Sequence, residues 1–408
     1  MTHGTAPLAL FETGRTSFAF HRTRPAFDLY STVFSSAGID GGSALLLRYL
    51  QAAPQPPGGR VLDLGSGHGV LGIVLAGLNP EAHATFTDRD ALACAATRHN
   101  VALNGLDDRS RVVASLGYDE LEPADRYDLI VANLPGKAGL VVLDDLVAHA
   151  ATRSVPGGML GLVVVLPLAA DIVAAVADTG AETLEERSNK SYHVVVARFP
   201  AGPRQPIGAD SGVAAFDRGV YDRTTAAFAV GRNRWTATTV AGIDEFDSLN
   251  LATELLDRVA GRLQPQPTVV VEPGQGHRAL LVGRHGHHIR SVTSRDLLAL
   301  RASRRLLDHS GLGRGTTAVV EHAVAVPDDT LDAVTLLAIH AGERSHLAWL
   351  RAEIGRHLDR SGRRSLLLTG RASVLGRIEA ELLRRRPGRV VEVVSQRNYR
   401  ALAYQQGG

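Results

Sequence analysis

The sequence predicts an α/β protein built from two copies of a doubly wound, mostly parallel sheet. Its 408 residues are 45% hydrophobic and 21% charged, a globular composition at a length that suits two or three domains. In the first half, β-rich runs alternate with segments of helical apolar spacing, which is typical of parallel sheets. Short segments of the first half also recur in the same order in the second half.

The elements of the first half begin at Arg60–Leu64, a β-rich run that enters a glycine turn, and Val70–Leu78 follows with helical spacing. The further elements predicted are strands at 84–87, 111–114, 127–132 and 159–166 and a helix at 90–103. Ligands of such sheets bind beyond the carboxyl ends of the strands, so those ends are where a site is expected.

Four pairs of segments support the duplication. The pairs are 37–40 with 241–244, 87–90 with 293–296, 104–106 with 310–312, and 189–192 with 396–399. Gly, Pro and Ala cluster between Pro200 and Ser211. We therefore expect two domains, residues 1–203 and 204–408.

The formal net charge of +2 conceals opposite halves. Residues 1–200 carry 15 Lys and Arg against 21 Asp and Glu, so the first half is acidic and the second half is basic. The single cysteine, Cys94, excludes internal disulfides and a cysteine-rich zinc site and favours a reducing cytoplasm. We expect no metal, no signal peptide and no membrane span, while the oligomeric state stays open.

The sharpest motif is Val61-Leu62-Asp63-Leu64-Gly65-Ser66-Gly67-His68-Gly69. Glycines in such a turn let a ligand approach the backbone, and the N-terminus of the next helix offers N–H groups. A packing turn and a nicotinamide site are the alternatives. Asp63, two residues before the first glycine, and Asp88, at the end of the second strand, make the pattern similar to motif I of class I S-adenosylmethionine-dependent methyltransferases.

That resemblance implies two tandem Rossmann-like class I methyltransferase folds and S-adenosyl-L-methionine as the cofactor. In this family the glycines line the methionine part, the first acid holds the amino group, the second holds the ribose, and a residue after the third strand borders the adenine. The corresponding residues here are Gly65, Gly67, Gly69, Asp63, Asp88 and Ser115. His68 is expected to be a variable filler of the turn.

After the fourth strand, Asn133-Leu134-Pro135-Gly136-Lys137 resembles the N-P-P-F/Y motif of methyltransferases that act on planar nitrogen. The asparagine amide oxygen and a following backbone carbonyl accept hydrogen bonds from the acceptor nitrogen and aim its lone pair at the methyl group. Asn133 and Pro135 are therefore the expected catalytic residues. Leu134 and Gly136 depart from the motif, and the missing aromatic removes a base-stacking ring.

The stretch from Val33 to Leu47 makes the first half similar to the bacterial ribosomal RNA guanine-N2 methyltransferases that carry two tandem folds. That subgroup keeps its active fold at the C-terminus, whereas here the intact motifs are in the first copy. In the second copy we expect Arg278 in place of the third glycine, Ser294 in place of Asp88, and residues 337–339 in place of the acceptor motif. The second fold is thus predicted to be degenerate and non-catalytic.

Acidic residues precede the acceptor motif at Asp119, Glu120, Glu122 and Asp125. Unless they are only a solvated loop, they would repel phosphate and favour a cationic acceptor. The main prediction is therefore an N-methyltransferase for a small molecule with an amino, amide or guanidino nitrogen, arginine-like acceptors being attractive.

Four residues are candidates for binding that acceptor. Asp40 would remove a proton from a guanidinium, Tyr30 and Phe34 would wall the pocket, and Lys137 would bind a carboxylate or a phosphate. The alternatives are ribosomal RNA guanine-N2 methylation, with RNA held by the basic second domain, a protein side-chain substrate, and a non-catalytic cofactor-binding scaffold.

Overall fold

The computed structural model describes residues 5–52, 59–202, 212–312, 319–342 and 346–407. The chain divides into two compact units. Glu12–Tyr221 forms the first unit, and the second unit begins at Asp222 and also contains the start of the chain through Phe11. The expected boundary between residues 203 and 204 lies outside the described residues.

The first unit contains a hairpin, a seven-stranded sheet and the helices that cover it. Its strands are β1 (Glu12–Ser17), β2 (Ala26–Tyr30), β3 (Arg60–Leu64), β4 (His83–Asp88), β5 (Ser110–Ala114), β6 (Tyr127–Asn133), β7 (Ser154–Val165), β8 (Glu182–Ser188) and β9 (Tyr192–Arg198). After α1 (Thr5–Ala9) of the second unit, the helices are α2 (Gly41–Ala52), α3 (Val70–Leu78), α4 (Ala91–Leu103), α5 (Leu140–Arg153) and α6 (Ala169–Asp178).

The sheet order is β5-β4-β3-β6-β7-β9-β8, with β3 to β7 parallel and β9 antiparallel to both neighbours. This confirms the predicted doubly wound fold. The central strands are apolar because helices cover both faces, so side chains of either orientation are buried. The order reverses between β3 and β6, which places a crevice at their carboxyl ends.

The second unit repeats this architecture. Its strands are β10 (Asp222–Val230), β11 (Asn233–Val240), β12 (Pro267–Val271), β13 (His288–Ser294), β14 (Val319–His322), β15 (Leu336–Ala341), β16 (Ser365–Arg371), β17 (Gly388–Gln396) and β18 (Tyr399–Gln406). Its remaining helices are α7 (Leu251–Ala260), α8 (His277–Arg284), α9 (Leu297–His309), α10 (Asp328–Ala333), α11 (Leu347–Leu358) and α12 (Ala372–Arg385). The sheet order, β14-β13-β12-β15-β16-β18-β17, is that of the first unit, so the duplication is a structural fact.

Strand register corrects two of the predicted equivalences between the copies. Leu64 pairs with Ala132, and Val271 pairs with Ile339, so His340 and not Leu337 corresponds to Asn133. Gly276 is the residue that precedes α8, as Gly69 precedes α3, and Arg278 is therefore not in the place of the third glycine. Sequence matching failed here because the loops differ in composition while the backbone path is kept.

The first of the four sequence matches is also displaced. Asp40 precedes α2 and accepts a hydrogen bond from Ser43 N, at 3.0 Å. The corresponding cap before α7 is Asn250, which accepts from Thr253 N at 2.9 Å, and not Asp244. The matches at 87–90 and 104–106 hold, since each pair occupies the same strand and helix ends.

Asn100 of α4 and Asn104, directly after α4, hold the N-terminal hairpin of the first unit against this helix. Asn100 Oδ1 accepts from Asp28 N at 2.8 Å, and Asn104 Oδ1 accepts from Ala26 N at 3.0 Å. The two side chains lie one helical turn apart and so meet alternate residues of β2. Within the described ranges no helix combines the length and the apolar character that crossing a membrane requires.

Candidate active site

The glycine turn between β3 and α3 has a backbone that other residues rarely adopt. Gly65, Gly67 and Gly69 have φ of 75°, 57° and 81°. A Cβ on Gly65 or Gly67 would meet no atom within 4 Å, whereas one on Gly69 would lie 3.0 Å from the Ile73 side chain. The first two glycines therefore border open space that a ligand can enter, and the third allows the helix to pack closely.

Asp63 is buried on β3, directly below this turn, with 1% of its surface exposed. Its carboxylate accepts a hydrogen bond from Gly72 N at 2.8 Å, in the first turn of α3. Burial raises the pKa of the Asp63 carboxyl to about 7, since a charge there loses its hydration. A cation bound beside it would restore the ionised form.

Asp88 ends β4 and joins two loops. Its Oδ2 accepts from Gly67 N at 3.0 Å, and its Oδ1 accepts from Asp90 N at 2.9 Å. Burial and the nearby Asp90 raise its pKa to about 6. Each carboxylate oxygen keeps a second acceptor site, so the side chain can still receive hydrogen bonds from a pair of hydroxyls.

Ser115 is buried after β5, where its amide donates to Asp88 O at 2.9 Å. Its hydroxyl donates to Gly117 O at 2.9 Å and accepts from Glu120 N at 3.2 Å. The side chain thus shapes the loop that borders the expected adenine position.

His68 holds the hairpin against the glycine turn, although sequence reasoning treated it as a filler. Its Nε2 accepts from Tyr30 N at 3.0 Å, and the side chain also hydrogen bonds to the Phe34 backbone. Burial lowers the pKa of His68 to about 4, so the ring is neutral. In the second unit Gln275 makes the equivalent bond, accepting from Val240 N at 3.0 Å.

The two predicted pocket aromatics differ in position. Tyr30 is buried, with its ring 6.2 Å from that of His68 in a stacked arrangement. Phe34, in contrast, is 64% exposed on the loop after β2. Tyr30 is therefore a core residue of the hairpin, whereas the ring of Phe34 is open to solvent.

Asn133, at the end of β6, lies within a polar network that spans the sheet edge. Its Nδ2 donates to Asp40 Oδ2 at 2.7 Å and to Ser43 Oγ at 3.1 Å. Tyr192 OH donates to the other oxygen of Asp40, at 2.9 Å. With both donors of the amide used, Asn133 Oδ1 is directed away from Asp40 and can accept from a substrate.

Tyr192 is the functional residue that sequence reasoning missed. It lies 152 residues from Asp40 along the chain and begins β9. Its ring covers the start of α2, because a Cβ on Gly42 would lie 3.1 Å from the ring. The available signal was its match to Tyr399 at the same place in the second copy.

The segment after Asn133 is exposed and bordered by apolar side chains. Pro135 and Lys137 are exposed, and a Cβ on Gly136 would lie 3.0 Å from Val165 Cγ2. A side chain at position 136 would therefore crowd Val165 unless one of the two shifted. Val141 is 67% exposed at the start of α5, and Leu140, Val165 and Leu166 are also exposed.

The acidic residues before β6 form hydrogen bonds and ion pairs within the first unit. The sequence had suggested instead that they attract a cationic acceptor. Asp119 Oδ1 accepts from Ala215 N at 2.7 Å, and Glu120 Oε2 accepts from Leu116 N at 2.8 Å. Buried Asp125 pairs with Arg60 and Arg111, which lower its pKa. Of the four, Glu122 alone is largely exposed.

In the second unit, arginine and glutamate side chains fill the corresponding crevice. Val270 stands where the first unit has Asp63, by the strand register given above. The buried Arg278 donates to Glu245 Oε2 at 2.8 Å and to Glu272 O at 2.9 Å. A Cβ on Gly274 would lie 3.0 Å from Arg278 Nη1, so the open space beside Gly67 has no counterpart here.

Comparison with known proteins finds sequence similarity in the first unit. Residues 26–194 match the family model "Methyltransferase small domain". A ribosomal RNA small subunit methyltransferase C from Actinobacillus pleuropneumoniae serotype 3 (strain JL03) is 41% identical over 135 residues, which are 32% of this chain and 40% of that protein. The protein of the same name from Pseudomonas aeruginosa (strain UCBPP-PA14) is 42% identical over 135 residues, 32% of this chain and 39% of that protein.

Among solved structures, the T. thermophilus 16S rRNA N2 G1207 methyltransferase RsmC, in complex with AdoMet and guanosine, superimposes with a TM-score of 0.66 at 16% identity. The match covers 97% of this chain and 98% of that one, so the tandem fold extends over both units. The sequence matches, in contrast, span about two fifths of the length of the curated relatives. Residues 26–194 are thus similar to the methyltransferase small domain, and the tandem fold is shared with the solved structure over both units.

Proposed function

We propose that this chain is an S-adenosylmethionine-dependent methyltransferase that methylates N2 of a guanine in small-subunit ribosomal RNA. The observation that carries the proposal is Asn133, whose amide is held in one orientation at the end of β6. The names of the two relatives support small-subunit ribosomal RNA as the substrate, and the name of the T. thermophilus structure supports N2 of guanine. Such a substrate is made in the cytoplasm, which we propose as the compartment.

The residues present in the first unit fit the cofactor. Open space beside Gly65 and Gly67 accepts the methionine part, buried Asp63 balances its positive charge, and Asp88 receives the ribose hydroxyls. When bound, the cofactor supplies a methyl group attached to a positively charged sulfonium, and a neutral thioether remains after the transfer. The second unit does not fit it, because Arg278 occupies the crevice and Val270 replaces the acid.

Asn133 would align the acceptor nitrogen. The lone pair of the guanine N2 amine is delocalised into the ring, so the amine is a poor nucleophile. Hydrogen bonds from its two N–H groups to Asn133 Oδ1 and to the Leu134 carbonyl fix its direction toward the methyl group. The nitrogen would take the methyl group from the sulfonium in one displacement, and the proton that the methylated nitrogen releases would pass to water.

Asp40 and Tyr192 are positioning residues in this scheme. Asp40 already accepts three hydrogen bonds, from Ser43 N, Asn133 Nδ2 and Tyr192 OH, which leaves one of its about four acceptor sites, on Oδ1. These bonds orient Asn133 and the start of α2, which is a different role from the removal of a proton that the small-molecule prediction required. Backbone amides of the first unit bind Asp119 and Glu120, and the named relatives favour RNA over a small cationic acceptor.

The acceptor base would be held by apolar contacts in place of the missing aromatic of the motif. Phe34 presents an exposed ring on the loop that His68 ties to the glycine turn. Val165 lies against Gly136 beside Pro135. We propose that Phe34 stacks on the flipped base and that the exposed Lys137 binds an adjacent phosphate.

Methyl transfer with labelled cofactor tests the proposal. Undermethylated small ribosomal subunits and their naked RNA are compared with arginine and simple guanidines, and nucleosides are then identified by mass spectrometry. We expect label in N2-methylguanosine only. Label in the small molecules alone would refute the RNA substrate and restore the small-molecule reading.

Asn133→Ala should reduce turnover at least 100-fold while cofactor affinity changes less than about twofold, since the residue is assigned to the acceptor. Asn398→Ala is the control, because it truncates an exposed asparagine in the turn between β17 and β18. Loss of cofactor affinity together with turnover would mean that Asn133 supports the cofactor site instead.

A further inference from the structure

The two units build the same edge of the sheet with opposite charge. In the first unit, α6 and the edge strand β8 carry five acidic residues and one basic residue between positions 169 and 188. In the second unit, α12 and the edge strand β17 carry five arginines and three glutamates between positions 372 and 396. Because the first unit forms this helix and strand without such arginines, the fold does not require them.

The arginines of this edge face solvent. Arg377 and Arg384 are exposed and lie seven residues apart on α12, or about 10.5 Å along the helix. Arg389 is exposed at the start of β17. Arg385 is 74% exposed at its side chain and lies 3.7 Å from Glu381, a surface contact that holds it weakly. The fifth, Arg386, is paired with Asp359 and is left out of the argument.

Protection of the sheet edge does not explain the sign of this charge. Charged side chains on an edge strand discourage pairing with another chain, and either sign serves that purpose. The edge strand β8 of the first unit achieves it with Glu182, Glu185 and Glu186. A change from glutamate to arginine at the equivalent edge points to a partner that is itself negatively charged.

We propose that Arg377, Arg384, Arg385 and Arg389 form a surface, the arginine edge, that binds the phosphate backbone of RNA; this rests on the proposed function. Phosphate contacts supply most of the affinity of nucleic-acid binding, and guanidinium groups match phosphate geometry. The first 200 residues have more acidic than basic side chains, so the half that carries the acceptor site attracts RNA poorly. The second unit would hold the substrate while the first unit methylates it.

Binding of a transcribed small-subunit ribosomal RNA fragment to the full chain, measured over a range of salt concentrations, tests the arginine edge. The variant is Arg377→Gln, Arg384→Gln and Arg389→Gln together. The control is Arg232→Gln, Arg258→Gln and Arg290→Gln, which removes the same charge from other exposed positions of the second unit. We expect the Kd of the variant to rise about tenfold and its salt slope to fall by about 2 to 3, with a smaller change in the control.

Equal losses in the variant and the control would overturn the proposal, because net charge alone would then account for binding. Binding of wild-type protein to anionic phospholipid vesicles that is lost in the variant, with RNA binding unchanged, would overturn it in favour of a membrane surface. Methyl transfer is measured separately. If the wild type methylates RNA and the variant binds RNA as well as the wild type, only the arginine edge is refuted. If binding depends on the arginines but the wild type does not methylate RNA, only the proposed reaction is refuted.

Discussion

The buried carboxyl of Asp63 makes the stability of the cofactor-free first unit depend on pH. Its folded-state pKa of about 7 lies above the ordinary value of 3.8, and the cause is burial. A raised carboxyl pKa means that the contribution to stability is greatest at low pH and is lost as the pH rises through 7. From these two pKa values, the free energy of unfolding should be about 3 kcal/mol lower at pH 8 than at pH 5 because of this residue.

Asp63→Asn removes the titrating group and keeps the shape, and Asn can still accept from Gly72 N. For each protein, the free energy of unfolding at pH 8 is subtracted from that at pH 5. The wild-type value minus the variant value is the contribution of Asp63. Hydrogen exchange of peptides from β3 and α3 during urea unfolding reports the first unit. Both tryptophans, Trp235 and Trp349, lie in the second unit, so their fluorescence provides an internal control that should not change.

The same residue should govern cofactor affinity. Since the cofactor is a cation and Asp63 must be ionised to balance it, wild-type affinity should fall when the pH is lowered from 8 to 6, and Asp63→Asn should bind weakly at both values. Calorimetry with S-adenosylmethionine measures this. If wild type and Asp63→Asn showed the same pH dependence of stability, the raised pKa assigned to the buried Asp63 would be refuted. If Asp63→Asn bound the cofactor as tightly as wild type, the role of Asp63 in cofactor binding would be refuted.

Four further outcomes are expected. His68→Gln should change the free energy of unfolding by less than about 1 kcal/mol, because Gln275 makes the same bond in the second unit. His68→Ala should lower it by about 1–3 kcal/mol in urea unfolding, because Tyr30 N loses its partner. Arg278→Met should lower the unfolding free energy of the second unit by about 3–5 kcal/mol, since Glu245 is left buried without its partner; an unchanged tryptophan-monitored midpoint would contradict this. Calorimetry should give one cofactor per chain, and two would show that the second crevice opens. Asp40→Ala should lower kcat about 10- to 100-fold on RNA with little change in cofactor KM, and retention of full kcat would exclude it as a positioning residue.

Local features of the site were predictable because they depend on neighbouring residues. The strand β3, the three glycines and the following helix occupy the predicted positions, since a tight turn with positive φ selects glycine whatever lies around it. The degenerate copy was harder to align. Glu272, with φ of 56°, adopts the backbone that glycine has at position 65, so a search for glycines shifts the register.

Contacts between distant segments were not predictable in the same way. Asp40 was a candidate for its chemistry alone, and only the fold shows that it orients Asn133 while Tyr192 holds its second oxygen. The charge of the acidic segment at 119–125 suggests attraction of a cationic acceptor. Charge in a sequence, however, does not indicate whether a carboxylate already has a hydrogen-bond partner in the fold. Backbone amides and arginines from other segments satisfy Asp119, Glu120 and Asp125.

The sequence by itself determined the class of protein, the duplication and the intact cofactor motif, because periodicity, turn chemistry and motif spacing are local properties of the chain. It also determined the opposite charges of the two halves. Only the tertiary structure decided the partners of these charges. It bonded Asp119, Glu120 and Asp125 within the first unit, filled the second crevice with Arg278, and left the arginine edge exposed. The physical reason is that a charged side chain attracts a ligand only where the fold has not already provided its partner.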